Sequence, residues 1–138
     1  MKKPSREDLK RIFKKVKKLR IPNGYEEVEF DGLKYYSWID QTDNVLYTLA
    51  EIEGAVTGIR WDITKPGNVG VRLEMCEICR KHKKTGEVAL LSAKTKKRPK
   101  GINYRTRGHY ACIDYISCNE AMEDSSGIRK LFDLIIKN

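Results

Sequence analysis

The chain holds four cysteines, and they fall into two pairs. Cys76 and Cys79 form a C-x-x-C; Cys112 and Cys118 have five residues between them. Thiolates are soft ligands, and four of them in two pairs suit a closed tetrahedral Zn2+ site with Zn–S distances of about 2.3 Å. The two-residue spacer lets both sulfurs of a tight turn face one ion. The wider second pair fits one ligand at a strand end and one in the first turn of a helix. His82, three residues after Cys79, is a ligand by type, but beside four thiols it reads as a surface residue near the site. A redox C-x-x-C is expected near a βαβ pattern, and none is legible. Disulfides belong to secreted chains, whereas Met1-Lys2-Lys3 runs into Ser5-Arg6-Glu7-Asp8 rather than an apolar segment. Four unrelated buried thiols are the plain alternative.

A site closed by four thiolates leaves no position for water or substrate, so metal-assisted hydrolysis is disfavoured. Nor does the sequence offer a nucleophile with its base. The two histidines, His82 and His109, stand in cationic surroundings with no evident carboxylate to orient them. Asp114 reads as a helix cap or as a residue orienting a ligand. The chain is expected not to be an enzyme.

The elements that must position the cysteines follow from local pattern. Ser5 before Glu7 and Asp8 starts a helix, and Leu9, Ile12, Phe13, Val16 and Leu19 continue it at helical spacing to Pro22-Asn23-Gly24. Residues 33–75 read as β, with strands over 33–39, 44–53, 56–63 and 69–75 separated by turn chemistry. An antiparallel meander is the simplest topology, with Trp38 and Trp61 as core anchors. Residues 75–80 are the first cysteine turn, and 87–93 is a further strand. Residues 104–107 and 109–113 are expected to pair as a hairpin through Gly108. A short helix starts at Ser117, and a last helix over 128–137 turns Leu131, Leu134 and Ile135 inward. The expected fold is α+β: an N-terminal helix, an antiparallel meander, a four-cysteine zinc finger and a C-terminal helix. It forms one domain over 1–138, with a helix and β part over 1–69 and the zinc part over 70–138.

The composition supports a modest soluble core, with 40% hydrophobic residues and a mean hydropathy of −0.60. No apolar run is long enough to span a bilayer and no signal peptide is visible, so a reducing cytoplasm is expected. The net charge of +9 is uneven: +8 over residues 1–20, −6 over 21–70, +9 over 71–110 and −2 over 111–138. Two basic blocks bracket an acidic middle and favour acidic partners: nucleic acid, the ribosome or an acidic protein. Arg80, Lys81, Lys83 and Lys84 flank the first cysteine pair and could offset an anionic zinc centre. Lys94, Lys96, Lys97, Arg98 and Lys100 form a cationic loop around Pro99 and Gly101. With Arg105, Arg107 and Tyr110 they are the expected partner-binding residues, a pattern suited to RNA phosphates and bases or to an acidic protein. The lysine-rich side of the first helix reads as a solvated face.

A cysteine turn, a hairpin and a ligand at a helix start follow in the order of a treble-clef zinc finger. The segments Cys76-x-x-Cys79, Gly86-Glu87-Val88-Ala89-Leu90, Gly108-His109-Tyr110-Ala111-Cys112-Ile113-Asp114 and Ser117-Cys118-Asn119 resemble the C-terminal zinc-finger domain of the elongation factor G-binding proteins. That family includes the fusidic-acid resistance proteins. The match is specific over about residues 70–120. It implies Cys76, Cys79, Cys112 and Cys118 as zinc ligands and elongation factor G as partner. In resistance proteins this contact helps free a factor trapped by the drug on the ribosome. Resistance-type members carry a helical bundle ahead of the zinc domain, where this chain shows one helix. A basic zinc protein binding RNA or the ribosome is the alternative.

Overall fold

The computed structural model describes residues 1–64, 73–94 and 108–137. Seven strands, three α-helices and two short 3-10 helices are assigned among them. Strands β1 (Tyr35–Asp40), β2 (Val45–Ile52) and β3 (Ala55–Thr64) form the expected meander. Its register pairs Trp38 with Tyr47 and Leu46 with Trp61. The β2–β3 turn is two residues long, and both Glu53 (φ 52°) and Gly54 (φ 81°) take positive φ. That is the turn whose twist matches the flanking strands.

The fourth place in the sheet goes to a different strand from the one expected. Residues 69–75 were expected to extend the meander, and the described part of that segment is β4 (Leu73–Met75), which leaves it. It pairs instead with β5 (His82–Lys84) in a separate two-stranded sheet. The place beside β3 is taken by β6 (Val88–Ser92), followed by β7 (His109–Cys112), in the order β1-β2-β3-β6-β7. Asp62 of β3 therefore faces Val45 on one side and Ser92 on the other. Strand β7 pairs with β6, from Val88–Cys112 to Leu91–His109. Of the hairpin expected through Gly108, β7 is the described strand, and residues 104–107 lie outside the described residues.

Side-chain alternation gives the sheet two buried faces. Tyr36, Trp38, Val45, Tyr47 and Leu49 line one face with Leu9 and Phe13. Tyr35, Leu46, Ile59 and Trp61 line the other, with all four cysteines and helix α3 (Ser126–Ile136). The first face is aromatic: Trp38 stacks on Tyr47 at 4.9 Å and Phe13 meets Tyr47 edge-on at 5.0 Å. Such pairs contribute about 0.5–1.5 kcal/mol each beyond the area they bury. Both tryptophans are buried, as expected, and each donates its indole N–H: Trp38 to the Arg20 carbonyl at 3.0 Å, Trp61 to the Thr48 hydroxyl at 2.9 Å.

Helix α1 starts where the sequence places it but is shorter than expected, spanning Arg6–Ile12. Ser5 accepts from the Asp8 N–H and the Asp8 carboxylate accepts from the Ser5 N–H, a capping box. The helix ends at Phe13, and Val16 and Leu19 pack on the aromatic face from irregular backbone. The next helical turn would align Lys14 with Lys17 and Lys18, like charges at i,i+3 and i,i+4 that disfavour a helix. Arg20 holds the returning chain against the sheet through Asp40 (2.8 Å) and Asp43 (3.0 Å). Burial pushes the Asp40 carboxyl up, but Arg20 and the Asp43 and Thr42 N–H groups outweigh it and hold it below the usual range.

Candidate metal centre

The two cysteine pairs arrive from different elements. Cys76 and Cys79 lie on the turn joining β4 to β5. The Cys76 N–H donates to the Lys81 carbonyl (3.0 Å) and the Arg80 N–H to the Cys76 carbonyl (2.7 Å), with Arg80 at φ 62°. This folds the chain back tightly enough for both sulfurs to point the same way. Cys112 is the last residue of β7. Helix α2 spans Tyr115–Ala121, two residues earlier than expected, and carries Cys118 in its body. Asp114 is its N-cap, accepting from the Ile116 N–H at 2.9 Å.

All four cysteines are buried, and their sulfurs lie within 4.8 Å of one another. Cys76 and Cys118 are 3.7 Å apart, Cys79 and Cys112 3.9 Å. Four ligands at a Zn–S distance of about 2.3 Å stand about 3.8 Å apart at the corners of a tetrahedron. The donor set therefore fits one Zn2+ in type, number and spacing. Backbone amides already serve one sulfur: the Cys112 N–H (3.3 Å) and the Cys79 N–H (3.5 Å) both donate to Cys76 Sγ. Hydrogen bonds from Cys112 and then Cys118 pull the Cys76 thiol down to about 2. The bond between Cys118 and Cys112 lowers the Cys112 thiol, but the one with Cys76 and burial outweigh it and push it up. Cys118 is pushed up by its hydrogen bonds with Cys112 and Cys76 and by burial. Four sulfurs this close share protons until a cation replaces them.

The surroundings of the turn differ from expectation at His109. It is buried, and its Nδ1 lies 3.0 and 3.1 Å from the two carboxylate oxygens of Glu77, so it does have a carboxylate partner. The partner is 32 residues away in sequence and sits inside the C-x-x-C. The Glu77 N–H also donates to the Tyr110 carbonyl at 2.9 Å, tying the turn to β7. His82 is exposed on β5, and the cysteine cluster does not include it. Of the basic residues near the turn, Arg80, Lys81 and Lys84 are exposed and Lys81 pairs with Glu123 at 2.9 Å.

Of the expected partner-binding residues, Lys94 is exposed and Tyr110 is half-buried against the zinc-side core. Lys96, Lys97, Arg98, Lys100, Arg105 and Arg107 lie outside the described residues. Sequence reasoning quoted Asn119 without giving it a task. Its side chain accepts from the Lys34 N–H (2.7 Å) and donates to the Tyr35 (3.0 Å) and Tyr115 (2.7 Å) carbonyls. It thereby clamps α2 to the edge strand β1, one residue after Cys118. Asn119→Ala leaves these buried groups unpaired, and on the order of 2–3 kcal/mol of stability should be lost. Urea unfolding of the zinc-loaded protein measures it. A change within about 0.5 kcal/mol, the range of an ordinary surface substitution, would contradict the clamp.

The FBP C-terminal treble-clef zinc-finger family matches residues 10–130. Among solved structures, the one titled "Structure of the fusidic acid resistance protein FusC" is similar over 99% of this chain, with a TM-score of 0.76 and 26% identity. The match takes in 60% of that chain, so this protein spans about three-fifths of its length. No curated protein matches.

Proposed function

Because this chain belongs to the FBP C-terminal treble-clef zinc-finger family, we propose that it is a zinc-built, non-catalytic interaction module of the translation apparatus. Its proposed partner is elongation factor G. Zn2+ binding itself follows from the family and from the buried four-sulfur cluster. The ligands are assigned as Cys76, Cys79, Cys112 and Cys118. Bound there, the ion draws the β4–β5 turn, β7 and α2 together. The observation that carries the partner reading is the similarity to FusC at a TM-score of 0.76, taken with the resemblance to factor-binding proteins. Release of a drug-trapped factor from the ribosome is the activity this reading assigns to the contact. No described helix is long and apolar enough to cross a membrane, and the cytoplasm is the proposed place of action. The domain is proposed to fold as one unit, since β3 from the first part pairs with β6 from the second.

The proposed contact surface is the basic segment Lys94, Lys96, Lys97, Arg98 and Lys100 with Arg105, Arg107 and Tyr110. It joins β6 to β7, so the metal centre and sheet hold both of its ends. Anchored ends lower the ordering cost of binding. Capture from a bacterial lysate, with and without ribonuclease, tests the partner. Elongation factor G retained after ribonuclease supports the proposal, whereas RNA captured alone favours the RNA-binding reading. Lys96→Glu with Arg98→Glu should slow association several-fold and weaken its salt dependence while zinc content stays unchanged. Intact binding in that variant, with binding lost on reversal of the exposed Lys14 and Lys18, would place the surface on the N-terminal segment.

A further inference from the structure

Tyr35 is fully buried in the zinc-side core, and among the described residues its hydroxyl has no partner at full hydrogen-bond geometry. A buried hydroxyl without a partner is costly and calls for an explanation. The surroundings supply one. Tyr35 belongs to the same packed cluster as Cys76, Cys112 and Cys118. Its backbone is gripped by Asn119, the residue after Cys118, through the Tyr35 carbonyl at 3.0 Å. The groups that interact with its hydroxyl are the sulfurs of Cys118, Cys76 and Cys112, Cys118 first among them. The hydroxyl therefore faces sulfur.

We infer that Tyr35 is a positioning residue of the metal centre, its hydroxyl donating a hydrogen bond to the Cys118 thiolate. The four thiolates and one Zn2+ carry a net charge of −2, buried away from water, and such charge needs donors. Two backbone N–H groups serve Cys76; Tyr35 serves the sulfur across from it. Strand β1 thereby supports the metal centre, although it supplies no ligand. The same hydroxyl explains why a tyrosine, not a phenylalanine, occupies this dry position.

The inference rests on the four-cysteine assignment proposed above, and the test separates the two. Cobalt(II) is loaded into the wild type, Tyr35→Phe and Tyr47→Phe. Tyr47 is the control: its hydroxyl is also buried without a partner, but it packs in the aromatic cluster on the other face of the sheet. Tyr35→Phe should weaken Zn2+ binding about tenfold in chelator competition, the lower end for loss of a group that supports a ligand. It should also shift the cobalt–thiolate charge-transfer band to lower energy, because a sulfur without its donor gives up charge more readily. Tyr47→Phe should leave affinity and band at the wild-type values. Wild-type affinity and band in Tyr35→Phe would overturn the inference, as would equal changes in both variants. A wild-type protein with no thiolate band at all would overturn the cysteine assignment itself.

Discussion

Cys112→Ser should yield protein without zinc and without a cooperative unfolding transition. Cys112 ends β7, and its N–H and sulfur meet cysteines 36 and 33 residues earlier, respectively. An ion held by the four cysteines would therefore close long loops between the turn, the sheet and α2. The apparent free energy of zinc binding in such sites is about 10–16 kcal/mol, and in small metal-built domains it is folding free energy. A domain's whole stability is about 5–15 kcal/mol, so the loss of one ligand exceeds what the sheet retains. Metal analysis and thermal unfolding followed by circular dichroism read the result. Chelation of zinc from the wild type should give the same unfolded signal, reversed when zinc is returned. A metal-free Cys112→Ser protein that melts like the wild type would refute a structural role for the ion.

Gly127→Ala should destabilise the protein by about 3 kcal/mol, at the upper end for overpacking. Gly127 lies in the first turn of α3, where the helix crosses the C-x-x-C turn. A Cβ there would stand 2.2 Å from the Ile78 carbonyl oxygen and 2.7 Å from that of Glu77. Both contacts are to backbone, which cannot swing aside as a side chain can. Relief requires α3 to retreat from the turn that carries Cys76 and Cys79, so zinc release to a chelator should also quicken. Gly86→Ala serves as the comparison, since a Cβ at Gly86 meets nothing within 4 Å. It should stay within about 0.5 kcal/mol of the wild type. Equal melting temperatures for the Gly127→Ala and wild-type proteins would show that α3 does not bear on the turn.

Residue type and spacing by themselves determined the metal-ligand candidates and most of the local elements. Four cysteines in two pairs, one of them a C-x-x-C, point to zinc because few other uses suit that pattern. Alternation in β1 to β3 and the Glu53-Gly54 turn are local signals, readable over a few residues. Helix α1 was legible at its start, where Ser5 and Asp8 cap it, but not at its end, because Val16 and Leu19 keep helical spacing while packing from irregular chain. The tertiary structure alone decided which strand lies beside β3. Residues 69–75 and 88–92 are both β-forming by sequence; in the fold β4 pairs with β5 at the turn that brings Cys76 to Cys118 across 42 residues, and β6 takes the place beside β3. The partners of His109, Asn119 and Tyr35 were hidden for the same reason. Glu77 is 32 residues from His109, and Asn119 is 84 from Tyr35. No periodicity or motif reports contacts at such separations; they exist once sheet, turn and helix close around the four sulfurs.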